Sequence, residues 1–233
     1  MQLKPTFTST AFILISFLFL HHVPAFGQIK KEERNVAAFN QLEINGAFTV
    51  VLTQGNKPAF SLKADQKIIP DIRHEVKAGK LKVWHTGSWK KNKDVTLYIT
   101  VDNLTEIELS GAISLESANT LRSGSIDLDL SGACSGDLDM VVGELDMDVS
   151  GACSIDLKGS AKQAEIEVSG AVSLDAVAFK VQSMDIDLSG AGSARVFVTG
   201  QLKAEVSGTG SISYKGDPVV EKSVSGFGSI KPL

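Results

Sequence analysis

The chain has 233 residues, with 23 Lys and Arg against 27 Asp and Glu for a formal net charge of −4, and only two cysteines. The charge is divided along the chain: residues 28–103 hold 13 basic and 8 acidic residues, a balance of +5, and residues 104–233 hold 9 and 19, a balance of −10, with Lys4 restoring the total. So acidic a second half excludes nucleic acid as the expected partner.

Residues 1–27 read as a secretory signal peptide. Lys4 precedes an apolar run from Ala11 to Leu20, and Ala25-Phe26-Gly27 supplies small residues at the cleavage positions before Gln28. The run is too short to span a membrane comfortably, and no cysteine near it offers a lipid anchor. The expected mature chain is exported to the periplasm, the outer-membrane surface or the extracellular space, without membrane insertion, and begins with a flexible stretch over residues 28–35.

Residues 36–104 are strand-rich but irregular. Phe39 to Ile44, Thr49 to Gly55, Phe60 to Lys63, Lys80 to Trp84 and Val95 to Val101 alternate apolar and polar side chains, and a short helix or turn is expected around Ile68 to Ile72. Ile44-Asn45-Gly46-Ala47 replays a phrase that dominates the rest of the chain.

Residues 105–231 carry that phrase seven times, as Leu109-Ser110-Gly111-Ala112, Leu130-Ser131-Gly132-Ala133, Val149-Ser150-Gly151-Ala152, Val168-Ser169-Gly170-Ala171, Leu188-Ser189-Gly190-Ala191, Val206-Ser207-Gly208-Thr209 and Val224-Ser225-Gly226-Phe227. By subtraction the glycines are 21, 19, 19, 20, 18 and 18 residues apart. A period of about 19 with strict two-residue alternation and no helical pattern predicts a solenoid: strand, tight bend at Ser-Gly, second strand. The expected fold is an all-β, right-handed parallel β-helix with two sheets and seven rungs, equal positions stacking ~4.8 Å apart. Cys134 and Cys153 occupy one position in consecutive rungs. They are expected inside the coil, as buried thiols or as a bridge.

The run Leu42 to Gly55 (LEINGAFTVVLTQG), followed by repeated Ser-Gly-Ala-x-Ser, resembles the head GIN domain family (DUF2807), exported proteins common in Bacteroidota and described as auto-transporter adhesins. The resemblance covers residues 36–231 and implies a β-helix, an adhesive role and no established catalytic residues. An autotransporter also needs a C-terminal membrane barrel, whereas this chain stops at Lys231-Pro232-Leu233, so another component is expected to hold it to a cell.

Three features are candidates for chemistry. Trp84, His85, Trp89, Lys90, Lys91 and Lys93 surround a Gly-Ser turn and could stack on a sugar or clasp an anionic glycan; alternatively Trp84 caps the core and the lysines form a solvated tip. The stacked pairs Asp127 and Asp129, Asp146 and Asp148, Glu165 and Glu167, and Asp185 and Asp187 could bridge calcium weakly, at ~10⁻⁴–10⁻³ M; alternatively they splay and keep a long sheet soluble. No other cofactor is expected. The serine columns, such as Ser110, Ser131 and Ser150, lack a paired base and read as structural. His74, His85 and the arginines Arg34, Arg73, Arg122 and Arg195 form no recurrent catalytic set. The sequence therefore points to a non-enzymatic binding module for a glycan or cell-surface protein. A structural role and, more remotely, a polysaccharide lyase are the alternatives, and homo-oligomerisation is left open.

Overall fold

A computed structural model describes residues 28–87 and 94–233. Among them there is no α-helix. The twelve strands are β1 (Ile29–Arg34), β2 (Gln41–Gln54), β3 (Ala59–Asp65), β4 (Ile72–Lys77), β5 (Lys80–His85), β6 (Thr96–Val101), β7 (Glu106–Ser117), β8 (Leu121–Gly190), β9 (Ser193–Gly208), β10 (Ser211–Lys215), β11 (Val219–Gly226) and β12 (Ser229–Pro232). One 3₁₀ turn, Ile69–Asp71, sits where the sequence predicted a helix or turn.

Repeats pair in parallel and in register. Gly46 aligns with Gly111 and Gly111 with Gly132, each with its Ser or Asn before it and its Ala after it. The replayed phrase in the irregular part is thus a true structural copy. Farther along, Ser189-Gly190 aligns with Ser207-Gly208, and those with Ser225-Gly226. Pairing passes through the bends, so β8 runs 70 residues across several repeats. It also joins all twelve strands into one mixed sheet instead of the two separate sheets expected from the sequence.

The alternation becomes an apolar interior. Ile44, Leu109, Leu130, Val149, Val168, Leu188 and Val206 are buried at equivalent positions, while Ser110, Ser150 and their counterparts face outward. Each buried Leu, Ile or Val contributes roughly 1.5–3 kcal/mol. Repeat lengths differ because slack is absorbed away from the Ser-Gly bend. The β8–β9 register shifts between Ala176 and Lys180, and the extra residues there bury Phe179 completely.

The bend requires glycine for two reasons. Gly190 has φ +116°, and a Cβ on it would lie 2.6 Å from the carbonyl oxygen of Gly170 in the neighbouring repeat. A side chain would be strained by the backbone and blocked by the layer beneath.

Antiparallel strands cover the end at which β2 lies. β5 and β6 pair in parallel with the two halves of β2, whereas β4 joins β5, β3 joins β6 and β1 joins β3 antiparallel. Residues 28–35 are therefore not the flexible start expected from the sequence, since Ile29–Arg34 pairs with Asp65–Phe60. The strand is charge-rich and its outer edge is exposed, so it carries no apolar alternation to read. Arg34 fastens it, donating from Nη1 to the Ile72 carbonyl at 2.6 Å and from Nη2 to the Ile69 carbonyl at 3.0 Å.

Candidate functional site

The acidic pairs stand on the outward face of the first strand of each repeat. β7 aligns Glu106 and Glu108 with Asp127 and Asp129 of β8, and β8 aligns Asp185 and Asp187 with Lys203 and Glu205 of β9. Their neighbours Ile126, Leu128, Leu145 and Met147 point inward and are buried, so the carboxylates must share one side.

Lysines close both ends of this ladder. Lys80 Nζ lies 2.7 Å from both Glu106 and Glu108, Lys82 Nζ 2.7 Å from Glu43, and Lys203 Nζ 2.8 Å from Asp185. The two carboxylates that bond Lys80 hold its pKa above the ordinary lysine value. In mid-ladder the balance reverses. Partial burial raises Asp127 and Asp129 above the usual aspartate range, and repulsion adds to it: from Asp146 and Asp148 on Asp127, and from Asp127 and Asp148 on Asp129. Two shallow grooves follow the ladder, one along Asp146, Glu165 and Asp185 and one along Asp148, Glu167 and Asp187. Such a face attracts cations and repels acidic polymers. Among the described residues, no three or more His, Cys, Asp or Glu side chains gather as a metal-ligand set. The stacked carboxylates stand as a ladder and do not form a cage.

The Trp84–Lys93 patch is only partly visible: Trp89, Lys90, Lys91 and Lys93 lie outside the described residues. Trp84 is half-buried on β5, on the same side as Lys80 and Lys82, with Leu81 and Val83 buried beneath. It flanks Asn45 of β2 and Arg73 of β4, so it lies on the outward face and does not cap the core. His85 Nδ1 accepts a hydrogen bond from the Gly87 amide at 3.1 Å.

Cys134 and Cys153 are buried and unbridged, in the column that Ile113 also occupies. The Cys134 thiol is pushed up to about 12, chiefly by burial, which makes it a poor nucleophile. His74 is partly buried against Phe60 and within 3.3 Å of Arg34 Nη1, and its pKa is lowered first by burial and then by that guanidinium. It is tied to the fastening of β1.

Sequence reasoning missed a second surface. Around Tyr98 on β6, side chains from β1, β3 and the 56–58 turn line a polar groove of about 480 Å³. The alternation Thr96-Leu97-Tyr98-Ile99-Thr100 marks Tyr98 as outward. Nothing local announces that Lys31 and Ser61 become its neighbours.

A family model described as "Putative auto-transporter adhesin, head GIN domain" (DUF2807) matches residues 38–218. Crystal structures of similar fold include a "putative adhesin" from Bacteroides fragilis, 24% identical, covering 88% of this chain and 97% of that one with a TM-score of 0.83. Another, from Parabacteroides distasonis, is 20% identical over 89% and 98% of the two chains, with a TM-score of 0.68. A third, from Parabacteroides merdae, is 19% identical over 89% and 97%, with a TM-score of 0.66. No curated protein matches. The family model spans well over half of the 233 residues, repeats and irregular part alike, and the chain belongs to the head GIN domain family.

Proposed function

We propose that the protein is an exported, non-catalytic adhesion module, a right-handed β-helix whose outward faces hold a glycan or cell-surface partner. In this reading residues 1–27 direct export, residues 36–104 open the domain and residues 105–231 supply the rungs. The observation that carries it is the in-register stacking of the glycine-centred phrase from Gly46 to Gly226. Stacked repeats form a stiff surface on which like residues stand in columns, a geometry suited to an extended partner. Carboxylates and hydroxyls are spaced by the repeat and do not converge on a nucleophile or base, which favours binding over turnover. The description of the family as adhesins supports the same reading.

The test has two parts. Surface protease treatment of intact cells should remove the native protein, and purified residues 28–233 should bind a glycan array or intact cells saturably. Protection from protease until the outer membrane is opened, together with no binding to glycans or cells, would leave a periplasmic structural role.

A further inference from the structure

The outward side of β6 presents Thr96, Tyr98 and Thr100, while Leu97, Ile99 and Val101 are buried beneath it. Across the ladder Tyr98 stands opposite Ser61 of β3 and Val51 of β2, and Thr96 and Thr100 stand opposite Thr49 and Thr53. One half-buried aromatic ring is thus set into a flat, hydroxyl-rich field. Lys31 of β1 holds its ammonium 5.2 Å from the ring centroid, and Lys57 enters the same groove from the 56–58 turn. Among the described residues neither lysine takes part in an ion pair, and the groove has one carboxylate, Glu33. The surrounding stretch, residues 28–103, is the basic part of the chain, with the +5 balance given above.

We propose that this groove binds an acidic glycan. Ser61 and Thr100, beside the Tyr98 ring, bond sugar hydroxyls. Lys31 and Lys57 pair with a carboxylate or sulfate on the sugar. Tyr98 already holds the Lys31 ammonium over the groove, so little order is lost when an anion arrives. The charge contrast assigns the ligand's sign: this groove attracts an acidic polymer that the carboxylate ladder repels. The inference rests on the binding-module reading and gives it a site and a ligand class.

The experiment is calorimetric titration of residues 28–233 with a tetragalacturonate, a heparin tetrasaccharide and neutral cellotetraose, alongside a broad glycan array. The acidic probes should bind and cellotetraose should not; uronate against sulfate separates the two sources of charge. Tyr98→Ala and the double variant Lys31→Gln/Lys57→Gln should each weaken acidic binding by about tenfold or more. The lysine variant is confined to the surface and should keep its Tm, so a loss there is not a folding defect. Acidic binding that survives both variants, or that is lost only in Trp84→Ala, overturns this site and leaves the module reading intact. Preference for cellotetraose overturns the ligand class, and no binding to any glycan on the array overturns the site together with glycan adhesion.

Discussion

Gly151 lies so directly over Gly132 that a Cβ on Gly151 would strike the Gly132 carbonyl oxygen, and its φ is +108°. Gly124, by contrast, has nothing within 4 Å of where its Cβ would be. Gly151→Ala should therefore cost at least ~2–3 kcal/mol, while Gly124→Ala should stay within about 0.5 kcal/mol of the parent. Urea unfolding of both variants checks the pair, and equal effects would mean that the bend does not depend on a bare backbone.

The two cysteines should behave as buried apolar groups. Mass spectrometry of unreduced protein should find both thiols free, and a thiol reagent at pH 8 should react only on unfolding, because burial holds Cys134 at about 12. Cys134→Ala and Cys153→Val should each cost on the order of 1 kcal/mol. A quantitative Cys134–Cys153 bridge would contradict the packing.

The ladder predicts opposite pH effects at its middle and its end. Asp129 has a raised folded pKa, so its favourable contribution is complete below the ordinary carboxylate range and lost as pH rises through the folded value. Asp129→Asn should accordingly stabilise at pH 7, by roughly 0.5 kcal/mol or less for so exposed a group, and change nothing at pH 3. Glu43 is lowered chiefly by its bond from Lys82, so its contribution is present above the ordinary glutamate pKa and lost as pH falls through the folded value. Lys82→Gln should lower Tm at pH 7 by more than it does at pH 3. Thermal melts at the two pH values decide both signs.

Calcium bridging of the same ladder is a proposal that one titration separates from screening. A rise in Tm with millimolar calcium beyond that of magnesium and ionic-strength-matched sodium would support bridging. Equal shifts from the three salts would leave screening alone.

β11 predicts a device against association. Lys222 takes the register of Ala204, which is fully buried, and among the described residues β11 pairs only with β9. Lys222 itself is exposed, and a lysine on an edge strand discourages a second chain from adding to it. Lys222→Val should give concentration-dependent oligomers in analytical ultracentrifugation where the parent does not, and an unchanged distribution would remove that role.

The repeat was legible because its signal is local. Ile126-Asp127-Leu128-Asp129-Leu130 states its own inward and outward faces, and the Ser-Gly phrase states its own register. Trp84 was legible in principle too: with Leu81 and Val83 inward, alternation puts it outward, although its bulk suggests a core cap. Trp84→Ala should thus cost nearer ~1–2 kcal/mol than the 3–5 of a fully buried aromatic. The covering strands were not legible. β1 is all charge around one isoleucine, and its partner β3 is found by antiparallel pairing across some thirty residues, which no periodicity encodes. The Tyr98 groove depends on that pairing and was hidden with it.

Deleting residues 151–169 removes one repeat and rejoins Ser150 to Gly170, leaving the Ser-Gly-Ala phrase intact. If each repeat touches only its neighbours, stability is a sum of local terms. The shortened protein should keep a β-type circular dichroism spectrum and a cooperative melt, with Tm reduced but above room temperature. An unfolded or aggregated product, with Gly151→Ala meanwhile as stable as the parent, would contradict a scaffold built by stacking equivalent repeats.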